Sequence, residues 1–397
     1  MRNFLAVIFL SFLVAFSAFA QQGALSSLTL AGDATAPLPY CGSYELMEHA
    51  DHKQPGYLEA SNTALQNLVA NLGQNKKAAT AVLTVPVVFH VVHNIPNENL
   101  PDSVIFNQLE SLNKNFRRQN ADTASLRPEF KSIVGDAKIE FVLATVDPSG
   151  NPTNGITRTQ TNVQYFGGTL PYAPGQDSLI GQWLNDSLFN NFYRLTKTNE
   201  GGIDAWDVNR YFNIWIGDLR IFEPQFNNLE ELFVLGIASP PPNHPKFIGS
   251  GLDSLGLEQG ALMHYVAIGP GNPNSFPPPY GVFNNLLADG DIMTHEAGHY
   301  LGLRHIWGDG DCTEDDFIDD TPAAASSGQF ACNRTKNTCL DTVGVDLRDM
   351  VENFMDYSSD ACLSAFTNDQ IEAMRATLFN FRPNAFTVGQ EELSTMA

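Results

Sequence analysis

The chain has 397 residues, 43% of them hydrophobic and 17% charged, which suits two globular domains or one large domain with accessory segments and excludes a disordered polymer. Its 44 acidic residues against 22 basic ones leave a formal net charge of −22, which repels phosphate backbones and excludes nucleic acid as a partner class. Beyond the N-terminus no stretch is long and apolar enough to span a bilayer, so no membrane span is expected.

The first residues, "MRNFLAVIFLSFLVAFSAFAQQG", read as a cleaved signal peptide over 1–20. Arg2 supplies the positive start, 4–16 is a nearly unbroken apolar run, and Ala18-Phe19-Ala20 is a small-x-small cleavage site. The protein is therefore expected to be secreted. Residues 21–80 differ in texture from the rest of the chain, with one proline cluster, a helical stretch "SNTALQNLVANLGQ" and the polar "NKKAAT" at 75–80. That composition suits an exposed, protease-sensitive connection, and 21–80 is read as a prosegment. The rival is a small structural extension.

From residue 81 the texture is that of a packed domain. "VLTVPVVFHVVHN" is β-branched and predicts a central strand. "SVIFNQLESLNKNFRR" spaces Val104, Ile105, Leu109, Leu112 and Phe116 as a helix, with Asp102 or Ser103 as its cap. "AKIEFVLATVD", "RYFNIWIGDL" and "GALMHYVAIG" predict three more strands, while 147–180 and 220–260 read as long loops framing a cleft. A second helical pattern, "FNNLLADGDIMTHEAGHYLGL", runs to Gly302. Strands interleaved with long helices indicate an α/β domain over 81–386, followed by a short tail at 387–397.

The chemistry sits in "THEAGHYLGLRHIWGDG", residues 294–310. His295 and His299, four apart on a helix, share one face one turn apart, the spacing two ligands of a tetrahedral Zn²⁺ need. Glu296 lies beside the first ligand, where a carboxylate can take a proton from water. Gly302 can adopt the left-handed conformation that ends a helix, and the returning chain can bring His305 to the same ion. Three imidazoles leave a fourth position open, as a catalytic site requires. Met355, in "VENFMDYSSDAC", matches the tight methionine turn beneath such sites, and Tyr357 can donate to a developing oxyanion. Cys312, Cys332, Cys339 and Cys362 cluster after the histidines and, in an oxidising compartment, form two disulfides by one of three pairings.

Together, "TVPVVFHVV", "AWDVNRYFNIWI", "HEAGHYLGLRH" and "NFMDYSSDACLSAFTNDQ" resemble the pappalysin family of metzincin endopeptidases over about 84–381. The resemblance implies a metzincin-type zincin. A twisted mixed sheet and the active-site helix form its upper subdomain, above an irregular, disulfide-pinned lower one. It implies substrate pairing with the edge strand of the upper sheet, and the disulfides Cys312–Cys339 and Cys332–Cys362. It also implies Ca²⁺, for which "GDGDCTEDDFIDDTP" offers Asp309, Asp311, Asp319 and Asp320, with Glu314, Asp315 and Asp316 between them. Arginine-preferring members carry an acidic residue just before the cysteine after the methionine turn. Here that position is Ala361, with Asp360 one residue earlier, a departure that bears on any preference for arginine.

Cys41, in "PYCGSYELMEH", is the odd thiol, and as a thiolate it could take the fourth zinc position and hold the proenzyme latent. The expectation is a secreted, monomeric zinc endopeptidase acting on protein or peptide substrates. The alternative is a non-enzymatic adhesin or interaction module on the same fold, against which Glu296 argues, since a purely structural site has no use for a base.

Overall fold

The structure, a computed structural model, describes residues 40–71, 81–169, 189–223, 230–241, 258–275, 289–341 and 344–388. The expected signal peptide, residues 21–39 and 72–80 of the expected prosegment, and most of the expected tail lie outside the described residues.

Two helices, α1 (Ser43–Lys53) and α2 (Tyr57–Val69), follow a short strand β1 (Tyr40–Cys41). Then come β2 (Leu83–His93), α3 (Asp102–Phe116), β3 (Ile139–Leu143), β4 (Ile156–Gln160), β5 (Gly168–Thr169), β6 (Phe212–Gly217), β7 (Arg220–Glu223), β8 (Glu230–Ala238) and β9 (Ala261–His264). The helix α4 (Asp291–Tyr300) carries the histidines, and α5 (Asn368–Phe381) and β10 (Thr387–Val388) close the chain.

The sheet is mixed. Central β2 pairs in parallel with β6 on one side, and with β3 and then β4 along the other. Strand β6 continues in parallel to β9, and β9 pairs antiparallel with β8. Burial on both faces explains the apolar runs. Val87, Phe89, Phe212, Ile214 and Met263 face a core shared with α3, α4 and α5, while Trp215, Leu262 and Ile237 face a second core on the opposite side. Leu46, Met47, Ala50 and Tyr57 of the N-terminal helices are built into that second core.

Three expectations change. The cap of α3 is neither Asp102 nor Ser103: Pro101 occupies that position with no side-chain bond, and Asp102 pairs instead with Arg158. Part of the stretch read as loops is strand. Residues 156–160 pair with the central strand, and the β7–β8 hairpin lies within 220–260, where "EELFVLGIA" is apolar enough to join the sheet. Finally β10 pairs with Leu83 and Thr84, so the sheet reaches into the segment expected to be a tail.

Candidate metal centre and cleft

Helix α4 starts beneath a layer of polar anchors. Asn115 of α3 donates to Asp291 Oδ1 at 2.6 Å and to Thr294 Oγ1 at 2.8 Å. Asp360 Oδ2 accepts from the Asp289 backbone N–H at 2.7 Å, putting a buried carboxyl at the helix N-terminus. Asp360 is thus buried beside the start of α4, whereas Ala361, the position just before Cys362, is exposed. At the other end Gly302 takes φ +96°, a left-handed turn that a Cβ would strain, and the chain reverses toward His305.

His295, His299 and His305 are all buried, and their Nε2 atoms lie 3.0, 3.1 and 3.2 Å apart. Each ring is oriented through its other nitrogen. His295 Nδ1 donates to the Phe354 carbonyl at 2.7 Å, His299 Nδ1 to the Leu303 carbonyl at 2.9 Å, and His305 Nδ1 to Asp309 Oδ1. A carbonyl oxygen only accepts, so Nδ1 of His295 and His299 must hold the proton. Burial, and then the neighbouring histidines, keep both rings neutral, with His295 held down to about 3. Neutral Nδ1–H rings leave Nε2 as a lone pair. Lone pairs this close repel one another unless a cation lies between them, and three imidazole nitrogens with an adjacent thiol suit Zn²⁺. Cys41 Sγ completes the cluster, with all four ligand atoms within 4.8 Å of one another.

Glu296 is buried beside this cluster, and desolvation pushes its carboxyl up to about 8. Its Oε2 accepts from Ser43 Oγ at 3.0 Å, and the same hydroxyl accepts the Ala238 backbone N–H at 2.8 Å. Tyr357, half-buried and with its hydroxyl desolvated so that it resists ionisation, donates to the Cys41 carbonyl at 3.1 Å. Met355 lies under α4 at Gly298, where any Cβ would run into its sulfur. The Met355 N–H donates to Asn353 Oδ1 at 2.9 Å, which fixes the turn. Disulfides join Cys312 to Cys339 and Cys332 to Cys362, the pairing that the resemblance implies, and pin the loops below the cleft.

The edge of β8 is taken by β1, which runs parallel to it in the register Tyr40↔Val234 and Cys41↔Gly236. Gly42 N–H then donates to the Gly236 carbonyl at 2.9 Å, after which α1 covers the cleft. Ser43 escaped the sequence reading, although its place two residues after Cys41 is a usable signal.

The acidic residues put forward for calcium do not share a point. Asp309 serves His305, Asp311 Oδ1 accepts from Thr313, and Asp320 Oδ2 accepts the Asp369 N–H. Asp315 and Asp316 close local turns through Phe317, Ile318 and Thr321. Among the described residues, the convergent group of His, Cys, Asp and Glu ligand atoms is the Cys41–His295–His299–His305 cluster.

Comparison with known proteins agrees with this geometry. Residues 284–379 match the peptidase M43 family, described as Pregnancy-associated plasma protein-A. An extracellular metalloprotease of Arthroderma benhamiae is 40% identical over 112 residues, covering 28% of this chain and 36% of that protein. One from Aspergillus fumigatus is 41% identical over 96 residues, covering 23% and 29%. The match thus spans about a third of the length of these curated relatives. Among solved structures, a mutant of Tannerella forsythia promirolysin superposes with a TM-score of 0.62 at 30% identity, covering 87% of this chain and 96% of that one. Mirolysin in complex with a compound gives 0.57 at 32% identity, covering 77% and 96%.

Proposed function

Because the chain belongs to the pappalysin family of metzincin metalloproteases, we propose that it is a secreted zinc endopeptidase, made latent, that hydrolyses peptide bonds in proteins. The observation that carries this reading is the convergence of three histidine lone pairs beside a buried carboxyl and a tyrosine hydroxyl already bonded to a backbone carbonyl. His295, His299 and His305 would hold Zn²⁺, which when bound supplies Lewis acidity toward water and the scissile carbonyl.

The protein's own groups do the rest. The edge of β8 offers main-chain donors and acceptors to an extended substrate once β1 has left it. Glu296 takes the proton of the attacking water and returns it to the leaving amine. Tyr357 donates its hydroxyl hydrogen to the carbonyl oxygen as that atom gains charge, as it now does to the carbonyl of Cys41. Met355 supports the site from below without touching the reaction.

Residues 21–80 act as the prosegment. Three contacts support this. Cys41 Sγ lies among the zinc ligands, Ser43 occupies Glu296, and β1 occupies the strand edge that substrate needs. Secretion is supported by the N-terminal apolar segment, the two disulfides and the extracellular metalloproteases among the relatives.

The test is cleavage of a peptide mixture by the chain after removal of the prosegment, zinc loaded, beside its Glu296→Ala variant. Cuts that vanish with Glu296 establish the endopeptidase. Identical, uncut mixtures with zinc bound would sink it in favour of an interaction module. For Cys41, the proform is loaded with Co²⁺. A thiolate-to-cobalt absorption band that is lost in Cys41→Ala is expected, and an unchanged spectrum would remove Cys41 from the metal.

A further inference from the structure

We propose that Arg304, uncovered when the prosegment leaves, forms a substrate subsite that selects an acidic side chain at one fixed distance from the scissile bond. This rests on reading the chain as a latent endopeptidase. Arg304 directly precedes the third histidine and is buried, yet its partners come from the far end of the chain. Among the described residues, each hydrogen bond of its guanidinium ends on the N-terminal helices. Nη1 donates to Met47 Sδ, and Nη2 donates to Ser61 Oγ at 2.9 Å and to Asn62 Oδ1 at 2.8 Å. Removing those helices leaves a guanidinium with none of its present acceptors. It then faces a hollow whose lining includes Pro240, Pro241, His299, Leu303, Asp309 and Thr377.

Three features favour a carboxylate as the new occupant. Apart from Asp309, the other side chains lining the hollow are neutral, so among the described residues Arg304 is its positively charged side chain. Asp309, the carboxylate whose charge most affects Arg304, is bonded to His305 Nδ1 and makes no ion pair with Arg304 among the described residues. The prosegment meets Arg304 with a thioether, a hydroxyl and an amide oxygen, all neutral acceptors that can be released. A carboxylate would bind the planar fork through two charge-assisted bonds, roughly twice as strong as neutral ones. His299 lines the same hollow, which puts the selected residue within a few positions of the cut.

The experiment uses the full chain after proteolytic removal of its prosegment, zinc loaded, with peptide pairs that differ only by Glu or Gln at each position around the cut. At one position the Glu peptide should be cleaved about tenfold faster, a size ordinary for one charge-assisted pair. Arg304→Gln should bring that ratio to within about twofold, and Arg304→Glu should shift the preference to Lys, a gain that a misfolded protein cannot produce. A Glu-to-Gln ratio that survives Arg304→Gln overturns the proposal. Peptide binding in the Glu296→Gln background gives a readout independent of turnover. If no peptide is cut in a Glu296-dependent way, the endopeptidase reading falls. The binding ratio then still decides for or against Arg304.

Discussion

At the scale of single residues, the site is defined as much by the atoms behind the histidines as by the histidines. Asp309 fixes the tautomer of His305 from four residues away, a role the sequence reading gave over to calcium. Asp309→Ala should weaken zinc affinity by about 10- to 100-fold while the fold survives, measured by competition with a chromophoric chelator. Unchanged affinity would show that His305 needs no such orientation. Tyr357 is the second residue whose environment matters. If its hydroxyl carries oxyanion charge, Tyr357→Phe should lower kcat by about 10²-fold, with KM little changed, once the prosegment is gone. A loss confined to KM would make it a binding residue.

At the scale of elements, helix α4 is held by buried, hydrogen-bonded carboxyl groups at its start and by backbone geometry at its end. Asp360 and Asp291 lie buried together at the N-terminus. Burial raises both carboxyls above the usual carboxylate range, Asp360 to about 7, and each charge opposes the other. A carboxyl whose folded pKa lies above its unfolded value, near 4, makes the fold bind an extra proton. Its contribution is present below pH ~4 and is lost as pH rises toward about 7. Melting temperature should therefore decline across that interval, and Asp360→Asn, which keeps an acceptor for the Asp289 N–H, should flatten the decline. An identical pH slope in the variant would place the titration elsewhere.

The existence of β2, α3, β3, β6, β9 and the histidine helix was legible in the sequence because each carries a run or period that burial demands. Strands β4 and β8 were not. Their sequences lie among Pro-, Gly- and Asn-rich stretches, and what makes them strands is a partner edge far along the chain.

At the scale of the whole molecule, the N-terminal helices behave as part of the core. Leu46 is fully buried among residues of the main sheet, so its truncation to Ala should cost about 2–3 kcal/mol, felt as weaker docking if the rest of the domain holds. Uncleaved Leu46→Ala should then show measurable peptidase activity where the parent shows little. Uncleaved Cys41→Ala should stay largely quiet, because Ser43 still occupies Glu296 and β1 still fills the edge of β8. Full activity in uncleaved Cys41→Ala would mean that the thiol alone maintains latency.

The sequence by itself determined the metal-binding helix, its glycine exit and the methionine turn. These features are local, since a helix repeats every 3.6 residues and a left-handed turn favours glycine wherever it falls. Ser43 against Glu296, Arg304 under the N-terminal helices and Asp360 at the helix start were decided by tertiary structure alone. In each case the partner lies dozens to hundreds of residues away along the chain. No spacing rule reports which groups a fold brings within hydrogen-bond distance.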